Sequence, residues 1–476
     1  MTFYEFGQFF VYLLPLLYLC AIVAAVVAIR EARTSQGAIA WAISLITFPY
    51  VSLPLFLIFG RRRFYGYVSA LRKAKISRDQ IQELISNRPD PEPSVLPDVP
   101  LRRILERLAD LPFLPGNLPT LLIDGEQTFA AIFAAIDSAQ QYVLVQSYIV
   151  NDDRLGRDLL ARLMKARERG VTVYFLYDEI GSFGLSESYL AELQGAGCSV
   201  SGFRTTRGHA NRFQLNFRNH RKIVVIDGRV AFLGGLNIGD ECMGRAALGK
   251  WRDTHLKLDG PAAASVQLSF LRDWHWATDE IPNFVWSLEP VLSGGEPVLI
   301  IPTGPESEEE ACALVFLSLI NAATTRLWIS SPYFVPDEAT SQALRMAALR
   351  GVDVRIVLPE RVDHQLVYLA AFSYLRELVR AGVQIFKYQP GFLHQKVMLV
   401  DDYLSMVGTA NLDNRSFRLN FEVLALCWSQ QFAKRLAQVL EADFAESRVF
   451  SPREYDERNP FFRGAVDVAR LFAPIL

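Results

Sequence analysis

Cysteine is scarce. Cys20, Cys198, Cys242, Cys312 and Cys427 are scattered and odd in number. They offer no disulfide framework and no paired CxxC spacing, which mildly favours a reducing compartment. Surplus charge is also missing: 49 basic against 51 acidic residues leave −2 at pH 7. That balance gives no global support for a nucleic-acid partner, so none is expected. Only six histidines occur, with no HExxH pair among them, which removes a common zinc-hydrolase signature. No Lys or Arg precedes the first apolar run, and Glu5 does. A cleaved signal peptide is therefore disfavoured.

Apolar runs are present in force. Residues 7–29 carry no charge and are long enough to span a bilayer as a helix. Residues 34–60 are again uncharged, but Pro49 and Pro54 interrupt them, so a kinked or re-entrant path is conceivable. The expectation is two transmembrane helices within 1–60, followed by a basic flank and Pro-rich linker over 61–117. Arg61, Arg62, Arg63, Arg72, Lys73, Lys75 and Arg78 follow the second run, against Arg30 and Arg33 between the two. The positive-inside rule then places everything downstream in the cytoplasm. The same cluster suits anionic headgroups, and a plain stop-transfer flank is compatible with both.

Two of the six histidines stand in a repeat. His220, Lys222, Asp227 and Asn237 return as His394, Lys396, Asp401 and Asn411, each 174 residues later (394 less 220). The Val, Ile and Leu after each His read as a strand, on which residues two apart share a face. An imidazole beside an ammonium suits an anionic phosphate: Lys holds charge, and His attacks or moves a proton. Asp227 and Asp401 fall at the following turn, on the other face, and read as structural more than chemical. Asn237 and Asn411 follow a second strand and could donate to a phosphoryl oxygen. Ordinary strands with incidental polar residues would explain one copy far better than two. A metal is not expected, because Lys is a poor ligand, and no cofactor is implied.

The rest of the chain repeats too. Helical and strand patterns alternate from about Leu121: helix 127–140, strand 142–150, helix 155–169, strand 171–177, helix 186–195 and strand 198–203. Gly170-Val171 returns as Gly351-Val352, and Ala196-Gly197 as Ala381-Gly382. An α/β chain of two repeated lobes, 118–290 and 291–476, is expected to share one active site. A longer loop precedes the first motif, with Arg204, Arg207, Arg212 and Arg218; it reads as a headgroup-facing lid or as a solvated basic loop. His209, His255, His275 and His364 read as surface or packing residues, with His255 alternating outward beside Asp253.

Residues 216–222, 237–241, 251–255, 332–336 and 408–417 resemble the phospholipase D superfamily, and within it the bacterial cardiolipin synthases. The likeness spans nearly the whole chain. It implies two phospholipase D-like α/β lobes behind an N-terminal transmembrane hairpin in the bacterial inner membrane. It implies a phosphatidyltransferase joining two phosphatidylglycerols into cardiolipin and glycerol, with other anionic phospholipids as candidate partners. By the same analogy His220 is the nucleophile and His394 the acid and base. Asp253 and Glu422 would each orient a His, and Asp253 is the natural candidate for His220. Cys242 stands where an aromatic residue is expected, and Gln395 and Gly235 vary from the commonest motif forms. Hydrolysis by water, nuclease action and a non-enzymatic scaffold are the competing readings. The membrane segments and near-neutral charge oppose a nuclease, and intact His and Lys in both copies oppose a scaffold.

Overall fold

Short runs of Val, Ile and Leu build strands that are covered on both faces, as in Ile223–Ile226 and Val397–Val400, where every residue is buried. A computed structural model describes residues 3–60, 63–74, 96–97, 99–207, 214–291, 294–307 and 309–476. Arg61, Arg62, Lys75 and Arg78 of the basic cluster, most of the Pro-rich stretch, His209 and Arg212 lie outside the described residues. The chain divides into two units: residues 1–69 with 204–217, and residues 70–203 with 218–476.

The first unit holds three apolar helices. Helix α1 (Phe3–Glu31) contains a stretch, Leu13–Glu31, with a mean hydropathy of 2.4, long and apolar enough to cross a membrane. The second apolar run is not one helix. It breaks at Phe48 into α2 (Ser35–Thr47) and α3 (Pro49–Phe59). Pro49 lacks an N–H and pushes the residue before it out of helical backbone, and Phe48 sits at φ −133°, ψ 59°. Ala24, Ala25 and Ala28 of α1 pack on Leu45 and Phe56, small residues that let helices approach closely. The basic loop belongs to this unit: Phe217 packs against Phe64 at 5.5 Å, and Thr205 Oγ1 donates to the Gln214 carbonyl.

The second unit shows the repeat. Its first lobe contains β1 (Leu114–Ile123), β2 (Tyr142–Ser147), β3 (Thr172–Asp178), β4 (Ser199–Phe203), β5 (Ile223–Ile226), β6 (Val230–Gly234) and β7 (Thr254–Asp259). They lie in the order 1-7-6-5-2-3-4. Its second contains β8 (Glu296–Thr303), β9 (Arg326–Ser330), β10 (Asp353–Pro359), β11 (Gln384–Tyr388), β12 (Val397–Val400), β13 (Leu404–Gly408) and β14 (Asn420–Trp428). They lie in the order 8-14-13-12-9-10-11, the same path shifted by seven. Antiparallel pairing of β1 with β8, Leu114 opposite Val298, joins the halves into one sixteen-stranded sheet. The parallel neighbours β2, β3 and β4 are linked by helices α4 (Asp124–Ser138, before β2), α5 (Arg154–Glu168) and α6 (Glu187–Gly195). Their apolar faces, including Phe129, Ile132, Leu159 and Leu163, pack on Val143, Val173 and Val224. Asp153 caps α5 and Ser186 caps α6 through side-chain oxygens.

Candidate active site

Each motif histidine arrives on a segment that has crossed to the other lobe. Arg218–Asn219 pairs in parallel with Asn420 and Phe421 at the start of β14, and the His220 N–H donates to the Phe421 carbonyl at 2.9 Å. Gly391–Leu393 pairs in parallel with Lys250–Arg252, and the His394 N–H donates to the Arg252 carbonyl at 2.8 Å. Each imidazole therefore meets the acid of the opposite lobe. His220 Nδ1 lies 2.9 Å from Glu422 Oε2, and His394 Nδ1 lies 2.9 Å from Asp253 Oδ2. This corrects the expectation that Asp253 serves His220. Strand crossing, not sequence proximity, decides the partner.

The lysines differ in what they hold. Lys222 Nζ donates to the His220 carbonyl at 2.7 Å and lies 5.2 Å from the Tyr148 ring centre. Lys396 Nζ donates to the His394 carbonyl at 2.5 Å and also lies 3.0 Å from His394 Nε2. Both histidines and both lysines are buried. Burial lowers Lys222 to about 7 and Lys396 to about 8, with Glu422 opposing the shift at Lys222 and Asp253 at Lys396. Burial lowers His220 to about 4 against the pull of Glu422, and lowers His394 to about 4 with Lys396 adding to the effect. Lys396 also acts on His220, and Lys222 on His394, so the two copies share one electrostatic site. Burial pushes Glu422 upward, yet His220 and Lys222 outweigh it and hold the carboxyl at about 2.

The two acids are hydrogen-bonded unequally. Glu422 accepts from Thr409 Oγ1, Ser416 Oγ and Asn420 Nδ2 besides His220. Asp253 accepts from the Thr254 N–H besides His394. Gly235 stands 174 residues before Thr409, and a Cβ there would lie 2.3 Å from Asp253 Oδ1. The departure from the commonest motif form is thus a steric requirement of a shorter acid drawn close to the backbone. Asn237 and Asn411 are buried at matching places, and their amide oxygens have no protein partner among the described residues. A buried acceptor of this kind is fit to take a hydrogen bond from a ligand hydroxyl, whereas an anionic oxygen needs the Nδ2 donor of the same amide.

Asp227 and Asp401 stand away from the chemistry. The Asp227 carboxylate accepts from the N–H groups of Gln140, Gln141 and Tyr142 at 2.8–2.9 Å, stitching the β5–β6 turn to the start of β2. Asp401 does the same for Thr324, Thr325 and Arg326. Asp227→Ala or Asp401→Ala leaves several donors unmet and is expected to lose roughly 2–4 kcal/mol of stability. The kcat/KM of the folded fraction should stay within a few-fold; chemical denaturation beside initial rates checks this, and a hundred-fold rate loss would contradict it.

Arg221, Arg252, Tyr148 and Trp251 were given no role from the sequence. Arg221, inside the first motif, is fully buried and bonds Asp273 through Nη1 at 2.7 and 2.8 Å. Gln395 holds the same motif position in the second copy and brings no charge. Arg252 supplies it, binding Asp443 through Nε at 2.7 Å and Nη2 at 3.0 Å, while Gln395 Nε2 donates to Asp443 at 2.6 Å. The signal was the Arg-to-Gln mismatch between otherwise matched motifs. Tyr148 packs its ring 5.0 Å from that of His220, and Trp251 lies 4.8 Å from that of His394. His255 is not outward: it is buried beside Asp253, its Nδ1 has no partner among the described residues, and burial lowers it to about 4. Cys242 is buried, His275 is buried on its helix, and His364 is exposed. His364 packs near Tyr333.

Three buried histidines held near 4 set the response to acid. Their folded pKa lies below the ordinary 6.5, so the unfolded chain binds more protons between those values. Stability is full above 6.5 and is lost as pH falls toward 4, at about 1.4 kcal/mol per pH unit for each group. Glu422 extends the loss below its ordinary 4.5. Denaturation midpoints at pH 7 and pH 5 should differ clearly, and a flat profile would refute neutral buried imidazoles.

The sequence matches the family described as "Cardiolipin synthase, PLD-like domain" over residues 132–274 and 316–444. Residues 19–61 match a phospholipase D-nuclease N-terminal family. Cardiolipin synthase A of Pseudomonas entomophila (strain L48) is 46% identical over 99% of this chain and 100% of its own. Cardiolipin synthase A of Pseudomonas aeruginosa (strain LESB58) is 47% identical over 95% of this chain and 94% of its own. Among solved structures, the phosphatidylserine synthase of Haemophilus influenzae Rd KW20 has the same fold, with a TM-score of 0.60 at 17% identity over 79% of this chain and 100% of that one.

Proposed function

We infer the reaction from one premise: this chain belongs to the cardiolipin synthase family and carries its phospholipase D-like domain in two segments. It is a membrane-associated phosphatidyltransferase acting on phospholipids. In our reading two phosphatidylglycerols become cardiolipin and glycerol, and residues 118–290 and 291–476 each supply half of the site. His220 Nε2 attacks the phosphorus of the first lipid, and the bond from phosphorus to the headgroup glycerol oxygen breaks. His394 gives that oxygen a proton. A headgroup hydroxyl of the second lipid then returns a proton to His394, attacks the same phosphorus and releases His220.

The observation that carries this reading is the crossed arrangement of the two imidazoles. A carboxylate at each Nδ1 fixes the tautomer that leaves Nε2 for chemistry. Burial keeps His220 neutral, as a nucleophile must be. An arriving phosphodiester anion favours protonation of His394, the form that must serve the leaving glycerol. Lys222, Lys396, Asn237 and Asn411 surround the phosphoryl oxygens, where they stabilise charge that grows in the transition state. Asp253 and Glu422 hold the imidazolium forms.

The test is product analysis from purified enzyme with labelled phosphatidylglycerol. Cardiolipin and free glycerol are expected in equal amounts; phosphatidic acid as the main product would replace transfer by hydrolysis. We further propose that α1 crosses the bilayer, that the broken α2–α3 pair returns, and that the catalytic unit faces the cytoplasm, on the strength of the Arg-rich flank after Gly60. Labelling from outside intact cells of a single cysteine introduced at Phe183, an exposed position of the catalytic unit, would overturn that topology.

A further inference from the structure

Helix α7 (Pro460–Arg470) starts cleanly, with the Asn459 side chain accepting from the Phe462 N–H and Pro460 at the first position. Val466, Ala469 and Ala473 are buried, and the two alanines pack on Val335 and Ala370. The adjoining strip is also apolar and stays largely uncovered among the described residues. It comprises Phe461, Gly464, Ala465 and Val468, then Leu471 and Phe472, which continue in helical backbone. Phe461 is 89% exposed, Leu471 77%, Val468 57% and Phe472 43%. At about 100° per residue, positions 461, 465, 468 and 472 fall within an arc of roughly 60°. Arg463, Asp467 and Arg470 gather on the opposite side, so the polar sector is narrow and mostly cationic.

We propose that this strip docks on an anionic bilayer, with its apolar side chains at the headgroup–acyl boundary and Arg463, Asp467 and Arg470 turned toward water. The proposal rests on the lipid substrate inferred above. Large apolar side chains on one face, with a mostly cationic face opposite, are the pattern of a helix that lies in a membrane interface. A second copy of the chain is a poorer occupant: one strip offers a few hundred Å², on the order of half the ~800 Å² per partner of a stable interface. The position also fits. The chain leaving α7 is held by Arg415, whose N–H donates to the Leu476 carbonyl and whose Nη1 donates to that of Ile475. The next residue, Ser416, donates to Glu422, the acid behind His220. The end of this helix is therefore tied, through Arg415 and Ser416, to the acid that holds His220.

The experiment uses the full chain in a Cys20→Ser background, with the four buried cysteines kept. Single cysteines at Phe461, Val468 and Leu471, and controls at Arg463 and Asp467, carry an environment-sensitive dye. The protein is reconstituted into phosphatidylcholine vesicles with and without phosphatidylglycerol. Dyes at 461, 468 and 471 should shift to apolar emission and be quenched by lipid-borne quenchers, while those at 463 and 467 stay water-like. Water-like emission at all five overturns the proposal. Shielding that appears in detergent and rises with protein concentration also overturns it and assigns the strip to a second copy. In addition, the Phe461→Ser/Leu471→Ser double variant should lose about tenfold in rate on bilayer phosphatidylglycerol and nothing on a water-soluble short-chain one. Equal bilayer rates would count against docking. Absence of cardiolipin from the unmutated enzyme on both substrates sinks the proposed reaction instead, and the dye readout still decides docking.

Discussion

His220→Ala and His394→Ala each lower phosphatidyl transfer roughly ten-thousand-fold or more, and the double variant is no slower than the slower single. The two residues act as one device, so removing either leaves little for the other to do. The crossed strands are what make them one device. His220 is fixed by the Phe421 carbonyl and Glu422, and His394 by the Arg252 carbonyl and Asp253. Neither motif histidine bonds a carboxylate of its own lobe among the described residues. Alanine keeps both backbone hydrogen bonds, so the strand crossings survive and the loss reads as chemistry. Steady-state transfer, with circular dichroism to confirm the fold, is the measurement. Near-normal turnover in either single variant would dismantle the shared site.

The fold was largely legible because its signals are local. The strand after each motif histidine is written in four apolar residues, and the repeated lobes in a constant spacing. The partners of the histidines were not legible. Asp253 lies nearer in sequence to His220, yet the parallel pairing of Gly391–Leu393 with Lys250–Arg252 delivers His394 to it. Long-range pairing of two- and three-residue strands leaves no periodic trace. The same holds for the cation beside Asp443, which comes from Arg252 because the motif offers Gln395. His255 was misread for a simpler reason. Its ring abuts the backbone of Gly234, as Asp253 abuts that of Gly235, and any Cβ at either glycine would collide. Alternation predicts outward residues only when one face of a sheet meets water. Pro49, by contrast, announced the break between α2 and α3.

A phosphoramidate at His220 is the second large expected effect. Lys396 holds the Nε2 side of His394 at 3.0 Å, whereas Lys222 is spent on the His220 carbonyl and the Tyr148 face. His220 is thus the imidazole whose Nε2 is less encumbered, and Glu422, fixed by Thr409, Ser416 and Asn420, holds it rigidly. A covalent route splits one displacement into two and lets glycerol depart before the second lipid enters, so ping-pong kinetics are expected. Lys222→Met and Lys396→Met should mainly lower the maximal rate, because the ammonium charges act on the crowded phosphorus more than on the bound lipid. The decisive measurement is mass spectrometry of enzyme quenched without acid after exposure to a donor labelled in its phosphatidyl group. Label on His220 is the expected result. Label confined to His394 reverses the two roles. Sequential kinetics with no protein-bound label on either histidine would mean that the second lipid attacks the first directly, with both imidazoles reduced to moving protons.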